Sequence, residues 1–248
     1  MSNNLSFLNL IQEFKAIGEF ATFANTAWTW RLAPRTDRPQ AILLIPGFLA
    51  GDVTLYPFAN WLRSKGHQVF FSGIVANADC PRRAMSRLEK ILQAQYDRYG
   101  EKIVVIGHSL GGLYARELAR RMPECVDQTI LLGSPVQGPG QHSHPFVKML
   151  ASLTMKVHET TKGCACQMDN ICGVHLDTPP PEVPEALIFS KSDGIVNWMS
   201  CVESGPNVQA FEVDSTHMGL PYNLDTLRIV HHLLESSSED RDGASRAH

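Results

Sequence analysis

The chain has 248 residues, a length that suits one large α/β domain built on a single core. It is 44% hydrophobic and 19% charged with a net charge of −3, and it carries no basic stripe or charge block, which excludes an electrostatic nucleic-acid surface. No apolar run reaches bilayer-spanning length, and the start at Met1-Ser2-Asn3-Asn4-Leu5 lacks the basic and unbroken apolar regions of an export signal, so a cytoplasmic location is expected.

From Leu5 to Phe23 the apolar residues Phe7, Leu10, Ile11, Phe14, Ile17 and Phe20 recur at helical spacing. Basic residues are almost absent there, which favours a helix packed on the domain over one lying on a membrane surface. This helical extension covers about residues 1–33, and Pro34 to Pro39 break it. Ala41–Ile45 is wholly apolar, the type of strand found inside a parallel sheet, and Pro46-Gly47-Phe48-Leu49-Ala50-Gly51 closes it. A helix at about Thr54–Lys65, a strand at His67–Ser72 and a helix from about Arg82 to Tyr99 follow. Lys102–Ile106 then reads as a buried strand, Leu113–Arg120 as a helix and Gln128–Pro135 as a further strand. Later strands fall at Ala186–Ser190 and Val208–Val213. This alternation predicts an α/β fold, a mostly parallel doubly wound sheet with helices on both faces, in one domain over residues 1–235.

One interval breaks the rhythm. Residues 136–184 supply about fifty residues where a connection usually needs a handful. They hold a helix candidate at Pro145–Met155, a cysteine cluster and the run Pro179-Pro180-Pro181, and they are expected to form a cap or lid above the strand ends. Residues 236–248 are polar and read as a disordered tail.

The most telling stretch is Gly107-His108-Ser109-Leu110-Gly111, followed by Gly112. A glycine-x-serine-x-glycine string arises by chance about once in a dozen chains of this length. The buried strand before it and the helix after it supply the context that a nucleophile elbow requires. In so sharp a turn, side chains two residues either side of the serine would meet neighbouring backbone, which is a reason for Gly107 and Gly111. A serine hydroxyl is a poor nucleophile at neutral pH and needs an imidazole to take its proton and an acid to orient that imidazole. Ser192-Asp193-Gly194-Ile195-Val196 follows one late strand and Ser215-Thr216-His217-Met218-Gly219 follows the next. Asp193 and His217 therefore fall on loops at strand C-terminal ends, in the order Ser, Asp, His.

The combination of Pro46-Gly47-Phe48, Gly107 to Gly112, Ser192 to Val196 and Thr216-His217-Met218-Gly219 resembles the α/β-hydrolase superfamily, particularly its bacterial lipase- and esterase-like members. The resemblance spans about Ile42 to Leu234. It implies an α/β-hydrolase fold, with Ser109 as nucleophile, Asp193 as orienting acid and His217 as general base. It also implies an oxyanion hole from the backbone N–H groups of Phe48 and Leu110. Many lipases carry His-Gly where this chain has Pro46-Gly47, a departure that leaves the backbone donor in place but alters how the loop is braced. The expected activity is hydrolysis of a carboxylic ester or lipid, with transient lipid-surface contact and with no cofactor and no metal in the reaction. The alternatives are transfer of the acyl group to an alcohol or thiol, or a binding module without turnover.

Other residues compete for these roles. Asp214 is three residues before His217 and is the rival acid. His108 sits inside the elbow, where packing explains it better than base catalysis, and His231 and His232 fall on a terminal helix. The string Cys164-x-Cys166-x5-Cys172-x2-His175 matches no common zinc finger, leaving zinc, free thiols or a disulfide open. Cys201 stands where a bridge would tether the cap to the core. Phe48, Leu49, Phe146, Val147, Leu150 and Leu153 suggest a medium-to-long acyl substrate.

Overall fold

A strand whose every side chain is apolar has to be covered on both faces, and Ala41–Ile45 is. The computed structural model describes residues 15–30, 35–137 and 179–245, with side chains through Thr26 in the first stretch and Ser236 in the last. In chain order these are α1 (Lys15–Trp30), β1 (Ala41–Ile45), α2 (Tyr56–Ser64), β2 (Gln68–Phe71), α3 (Pro81–Tyr99) and β3 (Ile103–His108). Then come α4 (Leu110–Arg121), β4 (Val126–Leu132), β5 (Glu185–Phe189), β6 (Val208–Glu212) and α5 (Leu224–Ser245). Short 3-10 turns lie at Asp52–Leu55, Trp198–Cys201 and Leu220–Tyr222.

The six strands form one sheet in the order β2-β1-β3-β4-β5-β6, with every neighbouring pair parallel. Strand periodicity divides the core into two layers. On one face Leu43, Ile45 and Val105 pack with Met85, Leu88 and Leu92 of α3 and Leu113 and Leu118 of α4. On the other, Ile42, Leu44 and Ile130 meet Phe58 and Leu62 of α2 and Leu227, Val230 and Leu234 of α5. Each fully buried aliphatic side chain contributes about 1.5–3 kcal/mol, so these two layers dominate stability.

The direction of winding reverses between β1 and β3, because β2 lies beyond β1 while β4 to β6 extend beyond β3. At such a switch point the loops leaving the two strands part and open a crevice at their C-terminal ends. The loop after β1 is Pro46–Gly51, and the residue after β3 is Ser109.

Helix α1 is described over Lys15–Trp30, with Phe23 its buried anchor and Ile17 70% exposed. Two expectations change. Helix α5 runs on through Ser245, where composition predicted a disordered tail from Ser236. Once the buried turns up to Leu234 are formed, each added residue gains a helical hydrogen bond without a new nucleation cost. Cys201 is a free, buried thiol with no bridge among the described residues; burial holds its thiol pKa well above the ordinary range. Cys164, Cys166, Cys172, His175 and the helix candidate at 145–155 lie outside the described residues.

An ion cluster ties α4 to the far part of the chain. Arg116, 1% exposed, pairs through Nη2 and Nε with both carboxylate oxygens of buried Glu185, and through Nη1 with Glu203 at 2.7 Å. Thr129 Oγ1 adds a hydrogen bond to Glu185 at 3.1 Å. Burial pushes the Glu185 carboxyl above its usual range and the Arg116 contacts oppose that shift. Arg116→Leu strands a buried carboxylate, so it is expected to lower unfolding free energy by about 3–5 kcal/mol in urea titration. Arg120→Leu, whose side chain is 42% exposed, is the contrasting control and is expected to cost under about 1 kcal/mol.

Candidate active site

Ser109 is the sole residue between strand β3 and helix α4. Its backbone has φ 53° and ψ −120°, a conformation that L-residues avoid. Among the described residues only Leu49 (φ 59°) and Ser109 combine a side chain with positive φ, and they lie on the two loops at the switch point. Strain of this kind costs on the order of 1–3 kcal/mol and persists where the surroundings over-determine it.

The glycines supply that over-determination through close approach. A Cβ on Gly107 would stand 2.3 Å from Gly111 O, and one on Gly111 would stand 2.2 Å from Ile45 O and 2.6 Å from Pro46 O. These are backbone atoms that cannot rotate away, so α4 is pressed against the end of β1 to a depth only glycine permits. The helix therefore starts at Leu110, earlier than the expected Leu113, because the low helix propensity of Gly111 and Gly112 masked its first turn.

The loop after β1 is stitched to the loop after β2. Asn77, nearly fully buried, donates from Nδ2 to Pro46 O at 2.7 Å and from its backbone N–H to Ala50 O at 2.8 Å; Leu49 N–H donates to Asn77 O at 3.0 Å. Asn77 thus braces a loop that carries Pro46 in place of histidine. The N–H groups of Phe48 and Leu110 enter no hydrogen bond among the described residues. Leu110 lies at the first position of α4, where N–H groups have no partner within the helix.

Asp193 and His217, both buried, meet on the loops after β5 and β6. His217 Nδ1 is 2.6 Å from Asp193 Oδ2, while Asp193 Oδ1 accepts from the N–H groups of Ile195 (2.8 Å) and Val196 (2.7 Å). A carboxylate can only accept, so the shared proton sits on Nδ1 and leaves Nε2 with a lone pair. The rival acid, Asp214, turns elsewhere and accepts from Ser192 Oγ at 2.8 Å.

Hydrogen bonds beyond the strand ends join these loops. Ser109 N–H donates to Leu132 O at 2.8 Å, Gly133 N–H to Ile188 O at 2.9 Å, and Val213 N–H to Phe189 O at 2.9 Å. Gly133, at φ 59°, lies beneath the imidazole; a Cβ there would stand 3.2 Å from His217 Nδ1. His108 Nε2 meets His217 O at 2.9 Å, and burial with the neighbouring His217 lowers the His108 pKa to about 3. His108 is therefore a neutral donor that steadies the His217 backbone.

The sequence reading missed Asn77, Gly133 and Glu19. Glu19, on α1, accepts from Ser215 Oγ and Thr216 Oγ1 beside His217. No local sequence pattern marked it.

This architecture is similar to that of several solved enzymes. One is an alpha/beta hydrolase from a Mar Chica lagoon sediment metagenome (TM-score 0.53, 18% identity, covering 83% of this chain and 93% of that one). Another is naproxen esterase from Bacillus subtilis (0.52, 17%, 81% and 86%). A third is Aspergillus fumigatus lipase B (0.53, 16%, 76% and 52%). The chain has the α/β-hydrolase fold, with a six-stranded parallel sheet among the described residues. Within it, residues 80–178 match the model of the PGAP1-like alpha/beta domain. No curated protein matches the sequence significantly. No helix among the described residues is long and apolar enough to cross a membrane.

Proposed function

We propose that the protein is a serine hydrolase of carboxylic esters. The observation that carries this reading is the buried 2.6 Å contact between His217 Nδ1 and Asp193, set on the same strand-end crevice as strained Ser109. Ser109 Oγ attacks the ester carbonyl while His217 Nε2 takes its proton, and the ionised Asp193 stabilises the imidazolium. The carbonyl oxygen becomes an oxyanion facing the N–H groups of Phe48 and Leu110. Collapse expels the alcohol, which receives the proton from His217. Water then attacks the acyl-enzyme by the same route, with His217 as base, and frees the acid and Ser109.

The likeness to esterases and a lipase supports an ester as substrate. An acyl chain suits the exposed apolar residues next to the site: Leu49 is 45% and Met218 is 42% exposed. The purified chain is expected to hydrolyse p-nitrophenyl acyl esters, with kcat/KM rising from acetate toward medium-length chains. With millimolar alcohol added, free acid should remain the main product. No turnover across the series counts against the hydrolase, and predominant transfer to the alcohol marks an acyltransferase instead.

A further inference from the structure

Glu19 lies on α1, outside the sheet, and is the one acidic residue of its described stretch, Lys15–Trp30. Its carboxylate takes three hydrogen bonds from the two residues before His217. Oε1 accepts from Ser215 Oγ at 2.6 Å; Oε2 accepts from Thr216 Oγ1 at 2.6 Å and from Thr216 N–H at 3.2 Å. Asn223 Nδ2 reaches Oε1 at 3.5 Å. The same two loop residues hold the loop's shape from inside. Ser215 N–H donates to Ser190 Oγ (3.1 Å), which itself donates to Ser215 O (2.6 Å), and Thr216 Oγ1 accepts from Gly219 N–H (3.0 Å).

Two further features show that the loop and the helix fit each other. A Cβ on Gly219 would stand 1.8 Å from Glu19 Oε2, yet Gly219 has φ −81°, which any residue adopts. Glycine is needed there for the space of the carboxylate and of Thr216 Oγ1, which a Cβ would meet at 2.7 Å, not for backbone conformation. Helix α1 is seated by Phe23 and Phe20, whose rings lie 5.6 Å and 5.3 Å from that of Tyr222, in the 3-10 turn just after the histidine loop.

We propose that Glu19 is a positioning residue for His217. By fixing the Ser215-Thr216 backbone from outside the sheet, its carboxylate sets the angle at which the imidazole addresses Ser109. The inference rests on the reading of His217 as general base. A carboxylate suits the task because all three loop groups are donors, and hydrogen bonds to an ionised acceptor are about twice as strong as neutral ones. An amide in its place would present N–H to one of them. A side chain misplaced by about 1 Å at a reacting centre can cost about 100-fold in rate.

The test compares wild type with Glu19→Ala, Glu19→Gln, Gly219→Ala and the Glu19→Ala/Gly219→Ala double variant in the full chain. Near-UV circular dichroism monitors the fold. Glu19→Ala is expected to lower kcat by about 10- to 100-fold with KM within about two-fold of wild type. The rate of fluorophosphonate labelling at Ser109 should fall in parallel, with Glu19→Gln intermediate. Gly219→Ala, which evicts the carboxylate and also crowds Thr216 Oγ1, should lose at least as much, and the double variant should be no worse than Gly219→Ala alone. Should Glu19→Ala fail to fold, Gly219→Ala and Glu19→Gln carry the same comparison. Folded variants that turn over and label within about two-fold of wild type overturn the role of Glu19 while leaving the hydrolase intact. A wild-type chain that neither labels nor turns over ester overturns the hydrolase reading itself, and the role of Glu19 falls with it.

Discussion

Ser109→Ala is expected to remove ester turnover by about 10⁶-fold in kcat while leaving the fold unchanged. The hydroxyl has no structural duty that would confuse the result, since it caps no N–H of helix α4. The strained backbone at 109 is fixed by its own N–H bond to Leu132 and by the glycines around it, and those remain in the variant. Alanine at φ 53° is as strained as serine, so stability should change by under about 1 kcal/mol. Any residual rate would come from substrate binding and the oxyanion donors acting on water. The measurement is p-nitrophenyl ester turnover alongside a urea melt; retention of more than a few per cent of activity contradicts the assigned nucleophile.

Asp193→Asn should have the second largest effect, about 10⁴-fold in kcat, for a reason specific to this loop. The two carboxylate oxygens are already allotted: Oδ1 to the N–H groups of Ile195 and Val196, Oδ2 to His217. An asparagine keeps its oxygen on the two backbone donors, because turning the amide would set its N–H₂ against both. The amide nitrogen then faces Nδ1 and forces the imidazole proton onto Nε2. A ring protonated there cannot accept the proton of Ser109. The variant should therefore fold and bind substrate with little change in KM while losing kcat, and its rate should recover partly at high pH as hydroxide replaces the base. An equal loss in Asp214→Asn with Asp193→Asn active would transfer the acid role to the other carboxylate.

Much of this was legible in the chain before any coordinates, and the reason is physical. Strands β1 and β3 are buried on both faces, so Ala41–Ile45 and Ile103–Ile106 are unbroken apolar runs that admit one reading. Gly107 and Gly111 stand where a Cβ meets backbone, and nothing but glycine could occupy them. Asp193 and His217 follow directly from strands, so their loops could be placed by counting. What could not be read was contact between distant segments. Asn77 is an ordinary loop residue until it is seen donating to Pro46 O. Glu19 is 198 positions from His217 in sequence, and no local pattern links them. The polar end of α5 misled because composition reports missing core contacts, while a helix already nucleated extends without them.

The assignment of Ser109 is tested most directly by intact-mass measurement after treating folded protein with a fluorophosphonate. One adduct is expected, mapped to Ser109, blocked by prior unfolding in urea and absent from Ser109→Ala. A native protein that takes up no adduct, or a Ser109→Ala variant that still takes up one, would contradict an activated nucleophile at the elbow.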